Sequence, residues 1–196
     1  MKTTLNKIRA KSPCTEGWKK LLAHLGKTKA DDEALSIITI LDSNGLDDAL
    51  WCLRAVEGSD KEIRLYAAWC ARQVQHLMAD RRSLNALDVA ERYANGLATD
   101  KELAAASDAA SDASAARAAA WAARDAAAGY AGAAADAAWA ARAATAWAAA
   151  AAGSAASDAA DAGDAQEKRL REVCAEIDAA LAHKTLNEYI LDKVTT

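Results

Sequence analysis

AASDAASDASAARAAAWAARDAAAGYAGAAADAAWAARAATAWAAAA, residues 105–151, is the stretch that decides the fold of this chain. Alanines recur along it in steps of three and four residues, which is the spacing of one face of an α-helix. Two such runs, called the alanine seams below, exclude charged and aromatic side chains, so a second helix can approach each of them closely. Gly129 and Gly132 lie between the seams and predict a turn, so the stretch is predicted to form an antiparallel helical hairpin. The seams are Ala105, Ala109, Ala113, Ala116, Ala120, Ala123 and Ala127, and then Ala133, Ala137, Ala140, Ala144, Ala148 and Ala151.

The composition of the whole chain favours an all-α fold. The 196 residues include one Pro, nine Gly and no Phe, and residues that prefer strands are sparse. A chain of this length can bury a sizeable core. We therefore predict a compact multi-helix bundle as one continuous domain. Its parts are a helical body over 1–98, the alanine-rich antiparallel hairpin over 99–163, and a C-terminal helix over 164–196 that packs back on the body.

Helix ends in the body are predicted from glycines and capping residues. Short apolar repeats stop at each of four glycines, and the β-branched run at 37–40 is predicted as helix rather than strand because of its length and neighbours. Ser-x-x-Glu and Thr-x-x-Glu sequences are typical of capping boxes at helix N-termini. The predicted ends are Gly26, Gly45, Gly58 and Gly96, and the predicted starts are Ser12 before Pro13, Ser59 with Glu62, Asp80, Thr99 with Glu102, and Asp164.

The charge distribution restricts the class of partner. A net charge of −4 argues against general nucleic-acid binding. Residues 1–29 nevertheless hold eight basic residues and a single acidic one, Glu16, which predicts either a solvated basic face or a surface for an acidic partner. The basic residues are Lys2, Lys7, Arg9, Lys11, Lys19, Lys20, Lys27 and Lys29.

Neither metal nor catalytic chemistry is indicated. The four cysteines lack CxxC spacing, and no histidine stands at a metal-ligand interval from them. Cys52, Cys70 and Cys174 lie in apolar helical repeats, where a free thiol acts as a small hydrophobe, and reduced thiols fit the cytoplasm. The sequence shows no secretory signal, membrane span, phosphate loop or hydrolase motif. We therefore expect a cytoplasmic, non-enzymatic protein with no metal site and no cofactor.

A second stripe on the helix predicted to begin at Ser59 is the strongest candidate for a recognition surface. The stripe consists of Leu65, Trp69, Arg72 and His76, which follow one another at steps of four, three and four residues beside the core stripe. It contains Trp and Arg, which are enriched at binding hot spots. A helix inside a bundle also shows two stripes when it contacts neighbours on two sides, and this alternative stays open. Trp51 and Arg54 lie off the core face of their own helix, and Arg81 and Arg82 can engage a phosphate or carboxylate. The candidate partner-binding or ligand-binding residues are Trp51, Arg54, Arg64, Leu65, Trp69, Arg72, His76, Arg81 and Arg82.

Three tryptophans stand on the sides of the predicted hairpin that face away from the seams. Left exposed, they would form an aggregation-prone patch, so we expect them to be buried. They pack either on the body of the same chain or in a homodimer formed through the hairpin. The three residues are Trp121, Trp139 and Trp147.

Several segments resemble a known family. They are KTKADDEALSIITILDSNGLDDALWCLRAV at 27–56, RLYAAWCARQVQHL at 64–77, DRRSLNALDVAERYANGLATDKELAAA at 80–106, AAWAAR at 119–124 and again at 137–142, and QEKRLREV at 166–173. Together they are similar to a group of alanine-rich, all-α immunity proteins found at bacterial toxin-immunity loci and in phage and prophage genomes. The resemblance covers most of the chain and implies an immunity or counter-defence role. It carries over no catalytic residues.

Three functions follow as hypotheses. The first is an inhibitor that binds a protein target, either a toxin or a host-defence effector. The second is a sponge that sequesters a nucleotide signal between helices, and the third is a structural or assembly role through the alanine hairpin. None of the three involves a membrane. The nucleotide hypothesis would use Arg54, Arg64, Tyr66, Trp69, Arg72 and Arg81.

Overall fold

The computed structural model describes residues 1–78, 80–111 and 155–194, with side chains described for 1–78, 80–110 and 161–184. Eight α-helices, two short 3-10 helices and one two-stranded ribbon lie in this part of the chain, which confirms the all-α class. The ribbon pairs β1 (Lys2–Thr3) antiparallel with β2 (Leu35–Ser36), and the 3-10 helices are Leu53–Ala55 and Gln75–Leu77. The α-helices are α1 (Leu5–Ala10), α2 (Thr15–His24), α3 (Ile37–Asn44), α4 (Leu46–Cys52), α5 (Asp60–Arg72), α6 (Arg81–Ala94), α7 (Asp100–Ser111) and α8 (Ala155–Val194).

The start of α2 differs from the prediction. Ser12 has φ +59°, in the left-handed region, whereas an N-cap residue needs an extended backbone. Cys14 takes the N-cap position instead, and its Sγ accepts a hydrogen bond from the Gly17 backbone N–H at 3.3 Å. Helix α1, which we did not predict, is only six residues long, and its two buried residues, Leu5 and Ile8, are too few to show a period.

Positive φ angles confirm three of the four glycine-based helix ends. Gly26, Gly45 and Gly96 follow α2, α3 and α6 with φ between +63° and +95°, a conformation that costs glycine little and other residues more. Gly58 also has a positive φ, +75°, but α4 ends at Cys52 and the 3-10 helix after it ends at Ala55, so no helix ends at Gly58. The run at 37–40 is helical as predicted, and Ile37 and Ile40 are buried in α3.

The two predicted capping boxes have different outcomes. At α7, the Thr99 backbone N–H donates to Glu102 Oε2 at 2.7 Å, and the Glu102 N–H donates back to Thr99 Oγ1 at 3.2 Å, so this box is confirmed. At α5, Ser59 is the N-cap residue but its side chain makes no capping hydrogen bond. Ser59 has ψ 27°, outside the extended region from which a hydroxyl reaches the third N–H.

The buried stripe of α5 forms the centre of the core. Ile63, Tyr66, Ala67 and Cys70 are buried in α5, and Val74, which follows the end of α5 at Arg72, is buried as well. Helix α5 packs against α6 and α8. The same core takes in apolar side chains from the other helices. The most completely buried large ones are Leu5, Ile8, Ile37, Ile40, Leu50, Leu53, Leu87 and Leu170.

The register of α7 corrects the first alanine seam where the structure describes it. Leu103, Ala106 and Ala110 are buried, whereas the seam residue Ala105 is exposed and Ala109 is half-buried. Burying one leucine contributes about 1.5–3 kcal/mol, more than one alanine methyl does, so Leu103 turns its own face of α7 to the core. The other seam positions and the Gly129–Gly132 turn lie outside the described residues. Trp121, Trp139 and Trp147 also lie outside the described residues, and so would the contacts of a homodimer formed through them.

Helix α8 also differs from the prediction. It begins at Ala155 and continues through Gly163 to Val194, so Asp164 does not start a helix. The alanine-rich residues before Gly163 have the highest helix propensity, which outweighs the cost of about 1 kcal/mol for one internal glycine. Leu170, Val173 and Cys174 are buried against the body as their spacing predicts.

The N-cap of α6 leads to a prediction for folding at acid pH. Asp80 Oδ2 pairs with the Arg82 guanidinium at 2.7 Å, and Asp80 Oδ1 accepts from the Arg82 backbone N–H at 2.8 Å. The side-chain contact and then the capping bond lower the pKa of Asp80 from 3.8 to about 2. Because the folded-state pKa is depressed, these contacts stabilise the fold above the ordinary value of 3.8, and the stabilisation is lost as the pH falls towards 2.

We expect Arg82→Ala to raise the pKa of Asp80 towards its ordinary value, because the substitution removes the largest cause of the depression. An NMR titration of the Asp80 carboxyl carbon measures this pKa directly. Asp80→Asn is the matched control: it keeps a capping oxygen but does not titrate, so its urea midpoint should fall less on acidification than that of the wild type. An unchanged Asp80 pKa in Arg82→Ala would show that Arg82 does not cause the shift.

Candidate functional site

The stripe predicted as a recognition surface on α5 is largely engaged within the fold. Leu65 and Trp69 are half-buried, and Trp69 packs against the core. The Trp69 ring stacks with the ring of buried Tyr66 at a centroid distance of 6.3 Å. Trp69 is therefore part of the internal packing of the fold, which favours the alternative left open by the sequence.

Arg72 joins α5 to α6. Its Nε and Nη2 donate to the two carboxylate oxygens of Glu91 at 2.9 and 2.8 Å, and Nη2 also donates to Asp88 at 2.6 Å. These hydrogen bonds raise the pKa of Arg72 above its already high ordinary value. Bidentate pairing of this kind fixes the guanidinium in place, so Arg72 is committed to the interface between two helices of the fold.

The remaining basic candidates are spread over the surface. Arg64 lies 5.0 Å from the ring centre of Tyr93, and Arg82 is engaged by Asp80. His76 and Arg81 are exposed. These residues therefore have separate surroundings, and none of them lines the cleft at α1–α4 described below.

Trp51 and Arg54 form a pair at a different place. Arg54 Cζ lies 4.5 Å from the centre of the Trp51 ring, and Arg54 Nε donates to the Trp51 carbonyl at 2.8 Å. Both side chains are half-buried. A guanidinium over an indole face is a favourable cation–π arrangement, and the pair stands at the edge of a cleft.

This cleft, called the Trp18–Trp51 cleft below, lies among α1, α2, α3 and α4. Its cavity has a volume of about 70 Å³. This is well below the few hundred Å³ that are typical of small-molecule pockets. Its apolar walls are Ile8, Pro13, Trp18, Leu21, Ile40 and Trp51, and its polar residues are Cys14, Asn44 and Asp48.

Polar groups hold the helices together beneath this cleft. Asn44 Nδ2 donates to the Gly17 carbonyl at 2.9 Å and to Asp48 Oδ2 at 2.7 Å, so one amide links α2, α3 and α4. A Cβ at position 17 would lie 2.7 Å from Asp48 Oδ2 and 3.1 Å from Cys14 Sγ. Glycine is therefore required at position 17 for the carboxylate to approach α2.

Sequence reasoning identified only Trp51 and Arg54 at this place. It gave no role to Trp18, Gly17, Asn44 or Asp48 at a binding site. These residues come from separate helices, and no spacing along the chain links them. The one signal in the sequence was that Trp51 lies off the core face of its own helix, which predicted an incompletely buried ring.

The basic residues of the first segment divide into two groups. Four are engaged: Lys7 pairs with Glu57 at 2.8 Å, Lys19 with Glu16 at 3.5 Å and Lys27 with Asp31 at 2.7 Å, and Lys20 donates to the Asn44 carbonyl. The other four are exposed and make no ion pair with any residue that the structure describes. These four are Lys2, Arg9, Lys11 and Lys29.

Cys14, at the cleft, differs from the other three cysteines. It is exposed, whereas Cys52, Cys70 and Cys174 are buried. Burial, reinforced by the nearby Asp48 carboxylate, raises the pKa of Cys52 to about 12, and burial also raises the pKa of Cys174. Since the thiolate is the reactive form, these two thiols are both inaccessible and uncharged at neutral pH.

We therefore expect one thiol of the native protein to react rapidly with the disulfide reagent DTNB and the other three to react only after unfolding. Release of the coloured thiolate, followed with and without urea, counts the two classes. Cys14→Ser is the control and should lack the rapid phase. Two or more rapid equivalents in the wild type would contradict the burial of the core cysteines.

The described residues contain no group of three or more side chains that could hold a metal ion, and none of their helices is long and apolar enough to cross a bilayer. Neither a protein-family model, nor a curated protein, nor a solved structure matches this chain.

Proposed function

We propose that this chain is a non-enzymatic, cytoplasmic binding protein that neutralises a toxin or a host-defence effector by direct contact. The observation that supports the proposal most is the Trp18–Trp51 cleft. Half-buried tryptophans with an adjacent arginine are the side chains that dominate binding energy at protein interfaces. The resemblance to alanine-rich immunity proteins supports the same function and agrees with a counter-defence role.

A nucleotide sponge is the second candidate, and the observation that favours it is the Arg54 guanidinium over the Trp51 ring. The cavity of about 70 Å³ is smaller than a typical small-molecule pocket, which favours the protein partner over the nucleotide. Most of the residues first considered for it are engaged elsewhere. Arg72 is bound to Glu91, and the Tyr66 hydroxyl donates to the Gln166 carbonyl at 3.1 Å. Of that set, Arg54 alone stands at the cleft, beside Trp51. The assembly hypothesis concerns the hairpin, outside the described residues, and stays a prediction.

Affinity purification from the native host, followed by reconstitution with the purified candidate partner, tests the proposal. We expect a stoichiometric complex by isothermal titration calorimetry and restored growth when both proteins are expressed together. Thermal-shift measurements with linear and cyclic nucleotides run in parallel. No protein partner, together with a nucleotide that raises the melting temperature, would replace the inhibitor by the sponge.

A further inference from the structure

We infer that the Trp18–Trp51 cleft is an anchor pocket that takes one aromatic side chain with a hydrogen-bond donor, a tryptophan or tyrosine, from an acidic segment of the partner protein. This inference rests on the proposed binding function. It specifies the chemistry of the partner, which the proposed function leaves open.

The size of the cleft selects a single side chain. One turn of α-helix about 10 Å across and 5.4 Å long fills roughly 420 Å³. The cavity of the cleft is only about 70 Å³. A partner helix therefore stays outside, and one of its side chains enters the cleft, whose walls include Trp18 and Trp51.

The polar side of the cleft selects a ring that carries a donor. Among the described residues, Asn44 is the hydrogen-bond donor to the Asp48 carboxylate, through Oδ2. A carboxylate offers about four acceptor sites, so Asp48 can still accept from an entering N–H or O–H. A tryptophan or tyrosine supplies that donor along with a large apolar surface, whereas a phenylalanine does not.

The charge around the cleft selects an acidic segment. Arg54 lies over the ring of the wall residue Trp51, and Lys20 donates to the carbonyl of the wall residue Asn44, so two cations stand beside the cleft. Arg9 and Lys11 lie in the chain between the wall residues Ile8 and Pro13, and both are exposed and make no ion pair with the residues described. These four cations outnumber Asp48, the one charged residue among the walls that the structure describes. Acidic residues flanking the anchor would meet these cations, which speeds association and makes binding sensitive to salt.

Three fluorescein-labelled heptapeptides test the inference: an acidic one with a central tryptophan, EDEWDED, its alanine version EDEADED, and the basic KRKWKRK. Fluorescence polarisation against the full chain, up to about 1 mM protein, covers the weak end of specific affinities. We expect EDEWDED to bind at least tenfold more tightly than either of the others and to weaken as salt is added. Equal binding of EDEWDED and EDEADED, or no binding of EDEWDED, would overturn the inference.

Changes in the protein locate the binding. Arg9→Ala with Lys11→Ala removes exposed charges only, and we expect it to weaken EDEWDED by fivefold or more at an unchanged melting temperature. Because Trp18→Ala can also loosen α2, alkylation of exposed Cys14 with a bulky maleimide is the second way to block the cleft, and it should reduce binding as strongly. Since the Cys14 sulfur caps α2, Cys14→Ser is its control: the hydroxyl keeps a capping oxygen and leaves the cleft open, so this variant should bind normally. Leu97→Ala, at an apolar residue that is 68% exposed and not part of the cleft, is the control and should bind normally.

Two further outcomes separate this inference from the proposed function. If the purified partner binds equally well to the wild type and to the Cys14-blocked protein, the binding function stands and the anchor pocket is wrong. If nucleotides compete with EDEWDED and no protein partner exists, the cleft belongs to a small molecule, and both the inference and the inhibitor proposal are wrong.

Discussion

Replacing Leu170 with alanine is expected to lower the free energy of unfolding by about 2–5 kcal/mol, the range for emptying a fully buried leucine site. Leu170 has no exposed surface and lies on α8, which contacts α5 and α3. Near it, the Tyr66 hydroxyl donates to the Gln166 carbonyl at 3.1 Å, and Arg171 pairs with Asp42 at 2.7 Å. The leucine is therefore the main apolar anchor among the contacts that attach α8 to the body. Urea unfolding followed by circular dichroism measures the loss.

Leu181 provides a matched control on the same helix. Its side chain is 55% exposed, so Leu181→Ala should change the unfolding free energy by less than about 0.5 kcal/mol. Equal effects of the two substitutions would mean that α8 does not dock through its 170–174 face. In that case the body would have to be stable without it.

Replacing Trp69 with alanine should destabilise the fold by about 3 kcal/mol, the lower end of the range for large aromatic residues, because the ring is half-buried. The ring packs on the core and stacks with Tyr66, so its removal takes away apolar packing that the neighbouring side chains do not fully restore. The melting temperature and the urea midpoint both report this loss. The affinity for a partner should change only as far as the folded fraction changes.

His76→Ala is the control for this prediction. His76 belongs to the same sequence stripe but is exposed, so its removal should leave stability within about 0.5 kcal/mol. If Trp69→Ala instead left stability unchanged and weakened the partner complex tenfold or more, the α5 stripe would be the recognition surface. The Trp18–Trp51 cleft would then lose its role as the main contact.

Local signals predicted much of the helical body. A glycine with positive φ ends a helix because other residues pay for that conformation, so Gly26 and Gly96 could be identified from sequence. The Thr99 and Glu102 box depends on atoms three residues apart, and it formed as predicted. The buried stripe of α5 follows from helical period, because one face of an amphipathic helix must leave water. In each case the physical cause lies within a few residues of its effect.

Tertiary structure determined the features that need residues from several elements: the buried face of α7, the Arg72 link and the cleft. A stripe of alanines only weakly favours facing the core, because its methyl groups bury little surface. Leu103 therefore determined which face of α7 is buried. Arg72 became a link between helices, although in sequence it resembled a binding residue, because Glu91 and Asp88 of α6 came within reach. The Trp18–Trp51 cleft exists only where four helices meet, with Asn44 joining Gly17 to Asp48. The sequence by itself determined the helices and most of their ends, since hydrogen bonds and backbone angles act locally. Packing determined the cleft, because its walls come from residues that no periodicity along the chain connects.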